Sequence, residues 1–284
     1  NEPLLLLTIN GVRYSSPTGE YSRTEAITKR PIVAIQNMSG AEVGTEWGPA
    51  SLNDVEALNN VSFSAPIDSS FAYLSRLFGR DAKVHLTSLA TDTPFHIMHM
   101  TEGGVLSAPR AQVVIDAGAR VTLVESFVPL KNSSRDLSPA LTCGETEIYL
   151  GSKASLTYVR VQAAEHTAFD FSSTKIIQEQ DSHLHAVSLT MGSRISRHNL
   201  NVLASGKGAT SHLGGVTIAN SSVSGSPQVI DNHTFLEHAA VGCTSNQLYK
   251  MVLGRGGHGV FSGRILVRPI AQKTNAFQLN QNLL

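Results

Sequence analysis

From about Val61 onward, polar and apolar residues alternate along most of the chain with the period of two that is typical of half-buried β-strands. The alternation returns at intervals of roughly 25–33 residues, a repeat length that indicates a solenoid. Each turn of such a chain must bury its apolar face against its neighbours. The repeating segments are Ala111–Val128, Glu145–Gln162, Ser182–Gly192, Arg197–Val216, His258–Val267 and Gln272–Asn280.

Short turns of small residues separate the alternating stretches, for example Asp116–Ala119, Gly151-Ser152 and Gly206–Gly208. A β-sandwich would join its strands by hairpin turns such as Asn-Gly. No Asn-Gly occurs from Val61 onward. The pattern alone leaves the β-sandwich and the β-helix close, and it leans toward the β-helix.

The first sixty residues have a different, mixed pattern. Tyr21–Arg30 is predicted to form a short helix that ends before Pro31, because proline disfavours helix in the preceding residue. Ser51–Asn60 begins with a plausible N-cap serine and is predicted to form a second helix. We therefore divide the chain into a mixed α/β segment, residues 1–60, and an all-β core, residues 61–284.

Composition and charge exclude several classes of protein. The 22 basic and 22 acidic residues balance, and no cluster of Lys and Arg predicts a nucleic-acid surface. The longest apolar run, Leu4–Ile9, is too short to span a bilayer, and no basic segment precedes it as in a signal peptide. Only Cys143 and Cys243 are present, which favours a reducing, cytoplasmic compartment without a disulfide framework.

Motifs for nucleotide binding and serine hydrolysis are absent. The glycine-rich run at Gly254–Gly259 lacks the Gly-Lys-Ser/Thr ending of a P-loop and is interpreted as a corner of the solenoid. No Gly-x-Ser-x-Gly elbow occurs.

Histidine is frequent, with eleven residues. His183 and His185 share one face of a predicted strand, as metal ligands would, but no third ligand beyond Asp181 is evident. His96 and His99 have no compelling geometry for a metal. We favour a solvated strand face and predict no metal site.

His233 and His238 are five positions apart, and because this spacing is odd they point to opposite faces of a continuous strand. They could share a metal only across a bulge. We expect Phe235 to pack inward, with its parity-mates Asp231, His233 and Glu237 hydrogen-bonded nearby.

The late part of the chain resembles the SufB/SufD family of iron–sulfur cluster assembly scaffolds, and its SufD branch in particular. Four segments carry the resemblance: DNHTFLEH at Asp231–His238, CTSNQLYK at Cys243–Lys250, VFSGRILV at Val260–Val267, and AQKTNAFQLNQNLL at Ala271–Leu284. The resemblance implies a right-handed parallel β-helix. It is specific over about Ser193–Leu284 and looser over about Val61–Val128.

The resemblance also implies a function without catalysis. The chain would be a scaffold subunit of the Suf complex, pairing with a SufB-like subunit through β-helix edges and acting with a SufC-like ATPase. In the family, a strand with a Cys-Ser-His-Gly motif and a helical domain follow the matched region. Neither is in this sequence, and the ATPase contact is expected there. Residence in a bacterial cytoplasm or a plastid stroma would follow.

Candidate residues for handling iron or sulfur, or for an interface, are Cys243, His233, His238, His198 and Lys250. A thiolate at Cys243 could accept sulfur or bind iron. An iron–sulfur cluster usually needs four cysteine ligands, which two distant cysteines cannot supply. The expectation is therefore no stably bound cofactor, and at most a transient cluster at a subunit interface.

Two alternatives stay open at this point. A β-helix acting on polysaccharides, as a lyase or hydrolase, needs clustered carboxylates. The acidic residues look scattered, and Asp231 with Glu237 is the nearest pair. An adhesin-like structural solenoid is the third possibility, and the absence of a secretion signal weighs against it.

Overall fold

The computed structural model describes residues 4–9, 12–14, 70–78, 81–86, 94–129, 138–221 and 227–284. The helices predicted at Tyr21–Arg30 and Ser51–Asn60 lie outside these residues. The strands are β1 Leu4–Ile9, β2 Val12–Tyr14, β3 Asp81–Leu86, β4 Phe95–Thr101, β5 Leu106–Ser107, β6 Arg110–Ile115, β7 Arg120–Pro129, β8 Leu141–Thr142 and β9 Glu145–Leu150. They continue with β10 Ser155–Ala164, β11 Phe169–Gln178, β12 His183–Gly192, β13 Ile195–Ala204, β14 Thr210–Ala219, β15 Gln228–His238, β16 Thr244–Leu253, β17 Gly257–Val267 and β18 Asn275–Leu283. The described helix is α1, Ser70–Phe78.

The strands form two sheets. Sheet A has the order β18-β16-β14-β12-β10-β7-β4-β1-β2, and sheet B has the order β17-β15-β13-β11-β9-β6-β3, with β5 and β8 beside it. From β9 to β18 the chain visits the two sheets in strict alternation, and every described pairing other than β1 with β2 is parallel. This is a parallel β-helix, as predicted, and parallel crossovers of this kind are almost always right-handed.

Successive turns of the helix stack in register. Ser155 pairs with His183, His183 with Thr210, and Thr210 with Thr244, so one turn takes 28, 27 and 34 residues in these cases. The strands keep the same length of about ten residues while the corners absorb the difference. The repeat predicted from the sequence is confirmed, and each long predicted segment, such as Glu145–Gln162, comprises two strands and a corner.

One corner of the helix is itself a hydrogen-bonded ladder. Lys153, Asp181, Gly208 and Gly242 occupy equivalent corner positions with φ between 53° and 74°. The backbone N–H of Lys153 donates to Gln180 O at 2.8 Å, and each following corner donates to the next turn in the same way. The left-handed conformation therefore aims each N–H along the helix axis, which explains the glycines here.

The centre of the core is a column of aliphatic side chains in sheet B. Val113, Ile148, Ile176, Val202 and Leu236 stack in register across five turns, and all are completely buried. Burial of each such side chain stabilises the fold by about 1.5–3 kcal/mol. Because side chains alternate between the two faces of a strand, each inward position contributes one side chain per turn, and these side chains stack into a column.

The N-terminal region adds to this frame at both sheets. β1 pairs in parallel with β4 of sheet A and antiparallel with β2, and Asn10-Gly11, a typical hairpin dipeptide, lies between them in the sequence. Helix α1 was not expected in residues 61–284. Its Phe71 ring stacks on Phe171 of β11 with centroids 3.8 Å apart. A nine-residue helix gains most of its stability from such packing, which its sequence alone does not show.

Two glycine substitutions at one corner should separate steric collision from backbone strain. A Cβ on Gly206 would lie 1.9 Å from Gln180 N in the previous turn, whereas a Cβ on Gly242 meets nothing within 4 Å and suffers only from a φ of 74°. We expect Gly206→Ala to lower the free energy of unfolding by about 3 kcal/mol or more. Gly242→Ala should cost only about 1–2 kcal/mol. Urea denaturation followed by circular dichroism measures both, and equal midpoints would contradict the register of this corner.

Candidate functional site

The block Asp231–His238 forms most of β15, and its odd-numbered residues face outward from sheet B. There Asp231 and His233 meet Arg197 of the neighbouring strand β13. Arg197 Nη1 lies 3.2 Å from Asp231 Oδ2, and His233 Nε2 lies 2.9 Å from Asp231 Oδ1. Arg197 Nη2 also lies 3.3 Å from His233 Nδ1. Both ring nitrogens of His233 are therefore engaged within the protein.

Burial lowers the pKa of His233 and Arg197 adds to this effect, while Asp231 opposes it. A groove of about 300 Å³ lies beside Arg197, Asp231 and His233, between α1 and sheet B. Its lining residues are Ser70, Phe71, Phe171, Ser172, Arg197 and Asn199. The arrangement orients Arg197 rather than leaving a metal ligand free.

His198 points the other way, into the interior, where it belongs to a chain of polar side chains. Its Nε2 lies 3.0 Å from Thr174 Oγ1, and Thr174 Oγ1 lies 3.4 Å from the Tyr158 hydroxyl. That hydroxyl donates a short hydrogen bond to Glu125, whose other oxygen lies 3.0 Å from His99 Nε2. This row of polar side chains crosses the interior between the two sheets, beside the aliphatic column.

The protonation states of the residues in this row of polar side chains are set by burial and by neighbouring groups. Burial alone would raise the pKa of Glu125, but His99 and the hydrogen bonds from Thr146 and Tyr158 outweigh it and hold that pKa below its usual value. Burial, then the positive charge of Arg160, lowers the pKa of His198 well below its ordinary range. Glu125 is therefore ionised and His198 neutral at neutral pH.

Arg160 is a second buried charge, and it is 1% exposed. Its Nη2 donates to Ser172 Oγ at 2.7 Å and lies 3.3 Å from Asp170 Oδ1, while the guanidinium lies 4.6 Å from the centre of the Phe127 ring. Burial raises the pKa of Asp170 in spite of Arg160. An arginine in a solenoid interior requires such partners, because an isolated buried charge is very costly.

His238 and Cys243 are enclosed where β15 turns into β16. His238 is fully buried, with Nε2 at 3.0 Å from Ser245 Oγ, and burial lowers its pKa. Cys243 packs against Ala204 and Ala209, and burial raises the pKa of its thiol. Its Sγ lies 3.3 Å from the carbonyl oxygen of Ala240. These surroundings favour the protonated thiol over the thiolate.

The five candidate residues do not meet in one cluster. His233 faces outward on sheet B, His198 and His238 face inward, Cys243 lies at a corner, and Lys250 is exposed on the outer face of sheet A. The predicted opposition of His233 and His238 is confirmed.

The inward orientation expected for Phe235 was wrong. Leu236 and the other even-numbered residues of β15 fill the interior, and Phe235 is covered from outside, with the Arg264 guanidinium 5.5 Å from the centre of its ring. Its parity-mates are nevertheless paired as expected, because Glu237 binds Arg268 and Asp231 binds Arg197. Parity along the strand was read correctly, but burial on the outer face looks the same in sequence as burial in the core.

An ionic cluster on the outer face of sheet B was not found from the sequence. The Glu145 carboxylate is completely buried, with Arg76 at 2.9 Å and both Arg110 and Lys175 at 3.3 Å. Glu147 lies beside it and accepts a hydrogen bond from Gln112. Clustered carboxylates with basic partners would suit a polysaccharide-cleaving enzyme, but these are enclosed and neutralised. Only the register of the three strands β6, β9 and β11, together with α1, brings them together.

Among the described residues no group of three His, Cys, Asp or Glu side chains is arranged to hold a metal ion. His183 and His185 are both exposed on the outer face of sheet A. No helix in the described part of the chain is long and apolar enough to cross a membrane.

The protein is thus a parallel β-helix, and the charged groups in its interior are paired and enclosed. A family model of the SufBD core domain of the SUF system for FeS cluster assembly matches residues 96–284. This is more than half of the chain, and the chain therefore belongs to the SufB/SufD family of iron–sulfur cluster assembly proteins.

Individual relatives agree with this assignment. An iron–sulfur cluster assembly SufBD family protein of Synechocystis is 29% identical over 81% of this chain and 48% of its own length. The SufD protein of Escherichia coli is 26% identical over 67% of this chain and 44% of its own length. The chloroplastic protein ABCI7 of Arabidopsis thaliana is 28% identical over 63% and 36%. The chain spans about half the length of these relatives, or less.

The free energy of unfolding should decrease as the pH is lowered, and His198→Gln should remove the part of this decrease that His198 causes. The lowered pKa of His198 means that the unfolded chain binds the proton first as the pH drops below about 6.5. Between pH 6.5 and 5.5 the wild type should therefore lose about 1 kcal/mol more unfolding free energy than the variant. Thr174→Val, which removes the hydrogen-bond partner but no titrating group, should keep the wild-type slope. Parallel slopes for wild type and His198→Gln in urea titrations would contradict a buried, neutral His198.

Both thiols should resist alkylation in the folded protein. Cys143 and Cys243 are fully buried, and burial raises the pKa of Cys143 to about 11. Because the thiolate is the reactive form, iodoacetamide at pH 8 should modify neither residue until urea is added. Peptide mass spectrometry follows each site separately. Rapid native labelling of Cys243 alone would show that its corner opens, and would favour a direct part in sulfur transfer.

Proposed function

We propose that this chain is the β-helix core of a non-catalytic scaffold subunit in the Suf iron–sulfur cluster assembly system. The subunit would pair with a SufB-like protein and act together with a SufC-like ATPase. The observation that carries the proposal is the match to the SufBD core domain over residues 96–284, on a parallel β-helix with an open last turn.

The open last turn supports pairing with another β-helix. β17 is bonded on one side to β15, and β18 on one side to β16, and no described strand pairs with their other edges. Interior residues of this turn, such as Phe261 and Ile265, are only half-buried. Exposed strand edges recruit further strands, and a stacked partner would cover these side chains.

A scaffold without its own catalysis fits the state of the polar groups. The carboxylates of Glu145 and Glu125 are both enclosed and paired with other side chains, so neither offers a free base to a substrate. The E. coli relative is named as an iron–sulfur cluster assembly protein, and that role is proposed for this chain as well. Iron, sulfide or a nascent cluster would be cargo at a subunit interface.

Among the candidate residues, accessibility separates two groups. His233 and Lys250 reach the surface, and we propose that contacts with cargo or partner involve these two. His198, His238 and Cys243 are enclosed, and they would take part only where the corner or the last turn opens. The bacterial and chloroplastic relatives support a site of action in a bacterial cytoplasm or a plastid stroma.

Co-expression tests the assembly directly. The chain, expressed from its complete gene with SufB-like and SufC-like proteins of the same organism, should co-purify and elute with both in one peak. Ile265→Arg, which places a charge at the open end, should lower recovery of the SufB-like protein by about tenfold or more. Val260→Arg, on the same strand but on the outer face, is the matched control.

Equal thermal stability of the two variants would show that lost binding is not lost folding. A chain that elutes alone, or equal recovery with Ile265→Arg and Val260→Arg, would contradict pairing through this end. In the first case a panel of acidic polysaccharides is the next test, and turnover of one of them would favour the carbohydrate-active alternative.

A further inference from the structure

The outer face of sheet A has an unusual distribution of charge. Its nine strands carry a single carboxylate, Glu125, and that side chain points inward. In contrast, the outer face of sheet B carries Glu145, Glu147, Asp231 and Glu237. The exposed basic groups on sheet A include Lys250, with His183, His185 and His212 near one margin of the face.

The same face is apolar over its last strands. Val216, Ile218, Leu248, Val252, Phe277, Leu279 and Leu283 are each between 39% and 66% exposed. They are contiguous, because Leu248 pairs with Leu279 and Val252 lies between Ile218 and Leu283 in the register. An exposed apolar area of this kind on a folded protein marks an interaction site. No described residue covers it, whereas α1 covers part of sheet B.

A shallow depression lies within this area. Gly214 stands between Val187 and Leu248 in the register and contributes no side chain. A Cβ at Gly214 would meet only the carbonyl oxygen of Leu248, at 3.6 Å, so the space above the backbone is open. The depression can accept one side chain of a partner. Lys250, on the neighbouring strand, makes no ion pair with any described residue.

We propose that the outer face of sheet A around Gly214 binds an amphipathic helix of another polypeptide, with acidic residues along the flanks of its apolar stripe. Helices are the elements that cover the faces of parallel sheets, since their apolar stripe matches the flat array of side chains. Acidic flanks complement the charge of Lys250, and the strands of this face carry no outward carboxylate that opposes them. The proposal does not depend on Suf assembly, and it concerns a sheet face rather than the open last turn.

Two synthetic helical peptides of about 18 residues, or five helical turns, provide the probe. They share one leucine stripe and differ only in carrying Glu or Lys along its flanks. Fluorescence anisotropy with the full chain should show about tenfold tighter binding of the Glu peptide, and added salt should reduce this difference. Val252→Glu places a negative charge on the face, and Gly214→Val fills the depression. Each should weaken binding of the Glu peptide by about tenfold or more.

Val260→Glu is the matched control, because Val260 is 42% exposed on sheet B and Val252 is 43% exposed on sheet A. It should bind the Glu peptide as the wild type does. Equal affinity of Val252→Glu and wild type would overturn the proposal, and so would equal affinity for the two peptides. Two further results would assign the face to a different occupant: a dimer in light scattering that Val252→Glu dissociates, or binding to phosphatidylglycerol vesicles without a preference between the peptides.

Discussion

In-register stacking of parallel strands is the constraint on which the rest of this structure depends. Each residue of one turn lies directly over its counterpart in the next, so a single choice of inward or outward parity is repeated along the whole helix. A slip of one residue would turn Val202 and Leu236 out to solvent and bring charged side chains in. The left-handed corner residues protect this register, because their N–H groups bond to the following turn while the corner lengths vary.

The polar groups of the interior impose a second requirement. Glu125, Arg160 and Asp170 are enclosed together with His99 and His198. Glu125 is held by partners from neighbouring turns, whereas Arg160 and Asp170 are held by each other and by Ser172 within one turn. Buried networks of this kind tolerate no loss of a partner, since the remaining group is left without hydration. Neither of these two carboxylates is therefore free to act on a substrate.

Much of the fold could be predicted from residue patterns. Alternation gave the strands and the repeat length, glycine and small residues gave the corners, and parity placed His233 and His238 on opposite faces. The pattern could not show that Phe235 is buried from outside, because a buried aromatic on either face of a strand satisfies the same alternation. Nor could it show α1, whose stability comes from Phe71 stacking on a ring a hundred residues away.

The sequence by itself determined the strands, their repeat and the family resemblance, because these depend on residues close in the chain. Only the tertiary structure decided which distant groups meet. It joined Glu145 to Arg76, Arg110 and Lys175, enclosed Cys243, and separated Lys250 from His233 on different sheets. It also gathered the apolar residues of three strands on one face whose strands lack exposed carboxylates. The physical reason is that stacking sets neighbours by register, about thirty residues apart, and the exact offset depends on corners whose lengths follow no local rule.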